Sequence, residues 1–119
     1  LPDHQGSSCR EYGNPNEPEQ FEWLHAYSPY HNIREGQRYP AILILAGEND
    51  SRVHPLHARK FAARMQWATR DDTQQPPVLL RVDRDAGHGQ GKPLKMRVSG
   101  LADQWAFIMA HTGVCETPE

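Results

Sequence analysis

Apolar positions change their spacing several times along this chain, and each change marks an element. Between Glu19 and Tyr27, Phe21, Leu24 and Tyr27 recur every third residue, the spacing of one helix side. Ser28-Pro29 closes that helix, because the residue before a proline avoids the α region. Residues 31–39 read as a polar loop carrying Gly36. Ala41-Ile42-Leu43-Ile44-Leu45-Ala46 is then apolar at every position, the pattern of a strand covered on both faces. Pro55 suits the first turn of a helix, where its missing N–H costs nothing. Ala58, Phe61, Ala62, Met65 and Thr69 follow at helical spacing, which predicts a helix over 55–69.

After a loop ending in Pro76-Pro77, Val78 to Val82 reads as a second strand, and residues 85–93 as a glycine-rich loop. From Pro93 to His111, Val98, Leu101, Trp105, Ile108 and Met109 form a stripe spaced three or four apart. Gly100 weakens the middle of that helix by ~1 kcal/mol relative to alanine, and Thr112-Gly113 supplies its stop. The order is helix, strand, helix, strand, helix. This is an α/β pattern whose middle is a parallel βαβ unit with flanking helices, expected to be right-handed. Residues 1–18, rich in Gly, Pro, Ser, Asn and Asp, form an irregular N-terminal segment. Two strands give a thin core, and a strand as apolar as 41–46 expects neighbours on both sides where this chain offers one. An open edge of that kind recruits another chain.

Composition narrows the classes. A chain of 119 residues is enough for one small domain. It is polar, with a mean hydropathy of −0.81 and a formal charge of −2, and no block of one sign. Nucleic-acid binding leaves a clustered basic face, so it is not expected. The longest strongly apolar run falls far short of the ~20 residues of a membrane span. No signal peptide is recognisable, and Leu1 in place of an initiator Met reads as a processed or truncated end. Cys9 and Cys115 are read as free thiols, with a disulfide between them as the alternative. The cytoplasm is favoured over secretion on these grounds, with the periplasm left open.

Two residues carry candidate chemistry. Asp50 follows the first strand through Gly47-Glu48-Asn49, and His88 follows the second, between Gly87 and Gly89. In open α/β sheets, chemistry collects where loops leave the carboxyl ends of strands. α/β-Hydrolases run nucleophile, acid, histidine along the chain, and here acid and histidine stand in that order. A triad carboxylate fixes the histidine tautomer through Nδ1, so that Nε2 can take the nucleophile's proton. The competing readings are a turn-forming aspartate and a flexible glycine loop.

Phe21-Glu22-Trp23-Leu24, Tyr27-Ser28-Pro29-Tyr30-His31-Asn32, Tyr39-Pro40, Asp50-Ser51-Arg52-Val53-His54-Pro55-Leu56-His57 and Ala86-Gly87-His88-Gly89-Gln90-Gly91-Lys92-Pro93 together resemble the C-terminal end of the prolyl oligopeptidase family. The resemblance runs from about Glu11 to the last helix. It implies a partial α/β-hydrolase fold, with residues 19–119 the C-terminal part of a peptidase domain that cuts short peptides after proline. It further implies Asp50 as triad acid, His88 as triad base and Arg52 as an arginine that binds a substrate backbone carbonyl. The guanidinium fork suits that task; otherwise Arg52 is a surface ion-pair residue. The family's serine elbow, Gly-x-Ser-x-Gly between a strand and a helix, has no counterpart here. Ser7, Ser8, Ser28, Ser51 and Ser99 all lack that setting. The missing N-terminal part of the catalytic domain and the β-propeller would have to come from elsewhere, so the chain alone is expected to be inactive.

Two rival readings stand beside this one. Self-association of a non-catalytic module, as a homodimer, would cover the open sheet edges. His54 and His57, three apart near a helix start, suggest a metal pair, but no Cys pair or His-Glu-x-x-His completes it. No metal and no cofactor is expected.

Overall fold

The computed structural model describes residue 9, residues 11–84 and residues 93–114. They divide into two compact units, one ending at Arg34 and the other beginning at Glu35. Helix α1 (Pro18–Tyr27) dominates the first unit. Pro18 opens it, Glu19 sits in its first turn where a negative charge faces the positive helix end, and Ser28 leaves it in an extended conformation ahead of Pro29. The Asn32 side-chain amide then donates to the carbonyls of His25, Ala26 and Ser28 at 3.0, 3.1 and 2.9 Å, satisfying acceptors that the helix end leaves open. Phe21, Trp23 and Tyr27 stand exposed on α1, and Leu24 is half-buried. Glu11 and Tyr12 are helical, a local order that the turn-rich composition around them did not suggest.

The second unit runs β1 (Ile42–Gly47), α2 (Leu56–Ala68), β2 (Val78–Asp83) and α3 (Leu94–Thr112). All four predicted elements form, with ends within two residues of expectation. β1 and β2 pair in parallel, from Ile42 opposite Val78 to Gly47 opposite Asp83. The entries to the two strands are tied together. Tyr39 N–H donates to the Gln75 side chain at 3.1 Å, the Gln75 amide donates back to Tyr39 O at 2.7 Å, and Ile42 N–H reaches Pro77 O. This reciprocal pair sets the register before the first ladder bond.

Helix α2 buries Ala62, Met65 and Ala68, with Met65 only 1% exposed. The buried Thr69 hydroxyl donates to Met65 O at 2.9 Å, so its burial costs little. Gln66 ties the helix to the start of β2 by donating to Val78 O at 3.0 Å. Gly36 N–H donates to Ala68 O, and Glu35 accepts from Arg64 at 3.2 Å and Arg70 at 3.5 Å. Arg70 also lies over the Trp67 ring, 3.9 Å from its centre.

The last helix departs from the sequence reading in which side it turns inward. Along α3 the covered positions are Met96, Gly100, Gln104 and Phe107, whereas Val98, Leu101 and Trp105 stay more than half exposed. A polar clamp joins α3 to β2. Arg81 Nε donates to Asp103 at 2.6 Å, and Arg81 also pairs with Asp83. Gly100 is buried beside that guanidinium, where an added Cβ would sit 3.5 Å from Arg81 Nη1. That is an ordinary contact distance, so the position has room for a β-carbon. Gly113, at φ 72°, ends α3 in the left-handed conformation expected of the stop. Strand β1 is likewise less covered than its composition suggests: Leu45 is 48% exposed. Among the described residues no helix is long and apolar enough to cross a membrane.

Candidate active site

Because Gly47 and Asp83 are register partners, β1 and β2 end at one edge of the sheet. Glu48 N–H extends the ladder by one further bond to Asp83 O at 3.0 Å. Asp50 thus stands three residues beyond the edge, on a turn that its own side chain builds. One carboxylate oxygen, Oδ1, accepts the N–H groups of Arg52 and Val53, each at 2.9 Å. This is the turn-forming arrangement open to aspartate, and it pins the carboxylate plane relative to the end of β1. The two readings of Asp50 are therefore compatible: a turn former that is also held in a fixed orientation at the chemically favoured edge. Asp50 is half-buried.

Arg52 extends from the same turn and is exposed. No described residue forms an ion pair or hydrogen bond with its guanidinium, so the ion-pair alternative finds no partner among them. His88 lies outside the described residues, as do its flanking glycines; Arg84 is the last described residue before it. The predicted glycine-rich loop and Cys115 also fall largely or wholly in undescribed stretches, whereas Cys9 is described and carries a free thiol.

His54 has a local structural role. Its Nδ1 accepts the N–H of Leu56 at 3.1 Å, and His57 N–H donates to His54 O at 3.0 Å, so this histidine starts α2 ahead of Pro55. With that nitrogen occupied, the His54–His57 spacing offers a poor metal pair. No group of three or more potential metal ligands occurs among the described residues. Sequence reasoning did not foresee the Arg81–Asp83–Asp103 cluster. Its signal was Arg81 itself, a charge inside an otherwise apolar run. A recess of about 490 Å³ lies beside this cluster, lined by Leu43, Leu79, Asp103 and Phe107 among others. None of its lining residues belongs to the turn that carries Asp50 and Arg52.

The sequence profile of the prolyl oligopeptidase family matches residues 5–115. The dual function macrocyclase-peptidase POPB of Galerina marginata is 42% identical over 106 residues, which cover 87% of this chain and 14% of that protein. A solved prolyl endopeptidase superposes with a TM-score of 0.77 at 39% identity, over 88% of this chain and 15% of that one. An esterase from Thermogutta terrifontis superposes with a TM-score of 0.56 at 26% identity, over all of this chain and 39% of the esterase. The parallel pair and its helices are thus part of an α/β-hydrolase fold. Within that class, the chain belongs to the prolyl oligopeptidase family. It spans 13–14% of the length of the curated relatives it matches, and corresponds to a portion of their peptidase domain.

Proposed function

We propose that this chain is the C-terminal part of the catalytic domain of a serine peptidase that cleaves short peptides after proline. Asp50 is the triad acid, His88 the triad base, and Arg52 a donor to a substrate backbone carbonyl. The observation that supports this reading best is the in-register end of the two parallel strands. It sends the turn holding Asp50 and the segment leading to His88 off one sheet edge. In the reaction, Asp50 holds the imidazole by accepting from Nδ1, and Nε2 takes the proton of a serine hydroxyl as the oxygen attacks the scissile carbonyl. The same imidazole then returns that proton to the leaving amine. The serine and the oxyanion donors come from polypeptide outside these 119 residues, since the sequence contains no Gly-x-Ser-x-Gly elbow motif.

Hydrolysis of a chromogenic prolyl amide tests this directly. A full-length protein containing this sequence and a serine elbow hydrolyses it, and loses activity on His88→Ala. The 119-residue chain alone is inactive, and measurable turnover by the pure chain would overturn the assignment.

A second reading rests on a different observation. Leu94, Val98, Leu101 and Trp105 on α3 are each more than half exposed, an apolar surface of the kind that marks association sites. A homodimer of the isolated chain would cover it. Sedimentation of the purified chain decides: a folded monomer at high concentration rules that reading out.

A further inference from the structure

The end of α1 and the turn after it bring together two imidazoles that the peptidase reading does not use. His25 lies in the last turn of α1 and His31 just beyond Ser28-Pro29-Tyr30. Their ring centres are 5.0 Å apart with planes tilted by 44°. An aromatic ring backs each of them: Phe21 lies 5.7 Å from His25, and Tyr30 meets His31 edge-on at 5.2 Å. The backbone between the pair is fixed by the three bonds that the Asn32 amide gives to the carbonyls of His25, Ala26 and Ser28. Both imidazoles are exposed, so an ion from solution can reach them.

We infer that His25 and His31 form a two-imidazole site for a borderline divalent transition ion, with Zn²⁺ and Cu²⁺ as its probes. Imidazole nitrogen suits these ions, in contrast to the oxygen donors preferred by Mg²⁺ or Ca²⁺. The spacing matches the chemistry. A metal–nitrogen bond of about 2.0–2.1 Å plus the ring radius places an ion about 3.2 Å from each ring centre, so two imidazoles at a tetrahedral angle have centres about 5.2 Å apart. The observed 5.0 Å lies close to that value. The surroundings supply the outer partner that metal-bound histidines use. Ser28 Oγ lies 2.8 Å from His31 Nδ1. With Nδ1–H donating to that hydroxyl, the lone pair of His31 resides on Nε2, the nitrogen left for the ion. No third protein ligand stands nearby among the described residues, so water completes the coordination sphere. The site differs in this from the His54–His57 pair, where the Leu56 N–H already occupies His54 Nδ1. It is independent of the triad assignment, and neither stands or falls with the other.

Calorimetric titration of the purified chain with Zn²⁺ tests the inference, with sub-stoichiometric Cu²⁺ broadening of histidine ring resonances as the residue-resolved readout. The expected result is a single site at neutral pH that broadens His25 and His31 first. His25→Ala, His25→Gln and His31→Ala each weaken binding at least ~10-fold, in keeping with the loss of one of two ligands, and Ser28→Ala weakens it by roughly 10-fold, as for other outer partners. His57→Ala leaves it unchanged. Far-ultraviolet circular dichroism confirms that each variant keeps its helices, and the two His25 variants guard against a fold defect in either. Absence of Zn²⁺ binding at neutral pH, or binding that survives His25→Gln and His31→Ala unchanged, overturns the inference.

Discussion

Asp50 has two jobs in this account, and asparagine and alanine at that position separate them. Oδ1 accepts two backbone N–H bonds at 2.9 Å, which build the turn after β1. An intramolecular hydrogen bond contributes about 0.5–1.5 kcal/mol net, and water replaces part of each bond at this exposed turn, so Asp50→Ala costs about 1–2 kcal/mol of stability. At about 4–8 °C per kcal/mol for a domain near this size, the melting temperature falls by about 4–16 °C. Asp50→Asn keeps a carbonyl oxygen for both N–H groups and stays within about 0.5 kcal/mol of the parent. Its amide nitrogen, however, cannot accept a hydrogen bond from an imidazole N–H. The corresponding exchange in a serine-protease triad lowers kcat by ~10⁴, equivalent to about 5.4 kcal/mol of transition-state stabilisation. Thermal unfolding of the purified variants and prolyl amide hydrolysis by the full-length enzyme read out the two quantities. The reasoning fails if Asp50→Asn destabilises as much as Asp50→Ala, or if its kcat stays within tenfold of the parent.

Other expected outcomes follow from the packing and the charges. Among the described residues Met65 is the most deeply buried large side chain, and it is flanked by the small residues Ala62 and Ala68. Met65→Ala therefore leaves a cavity costing about 2–5 kcal/mol, whereas Met65→Leu costs under about 1.5 kcal/mol. Urea unfolding of both variants measures the contrast, and equal midpoints would contradict it. Glu35 has its carboxyl held below the ordinary value of 4.5, chiefly by the hydrogen bond from Arg64, with Arg70 adding to it. Its lowered folded-state value means that the stabilisation is present above the unfolded value and is lost as pH falls through the folded one. The stability gap between wild type and Glu35→Gln is accordingly present at neutral pH and closes in acid, as pH falls below the ordinary carboxyl value and through the lowered one. A gap that stayed constant into acid would remove Glu35 from the clamp on Arg64 and Arg70.

Much of this molecule was legible because its elements announce themselves locally. The unbroken apolar run at 42–45 and the helical spacing of Ala58, Ala62, Met65 and Thr69 place β1 and α2 without any long-range information. The parallel pairing followed from the helix between the strands. The inward side of α3 was not legible, because its polar contact runs to Arg81, 22 positions before Asp103 in the chain. Arg81 reaches Asp103, while the apolar stripe of Val98, Leu101 and Trp105 stays exposed. Leu45 is also exposed, although the unbroken apolar run reads as a strand covered on both faces. At the candidate site, the position of Asp50 beyond the strand end was readable from spacing. Its two bonds to Arg52 and Val53 N–H were not, because turn geometry depends on backbone angles that residue type only biases.

The pairing of Asp50 with His88 is tested most directly by a double-mutant cycle on kcat/KM for a prolyl amide, measured in the full-length enzyme. Residues that act as one catalytic unit are strongly non-additive. The account predicts that Asp50→Asn, costly on its own, adds almost nothing once His88→Ala is present. If the two losses multiply instead, the carboxylate and the imidazole work separately, and the triad assignment is wrong.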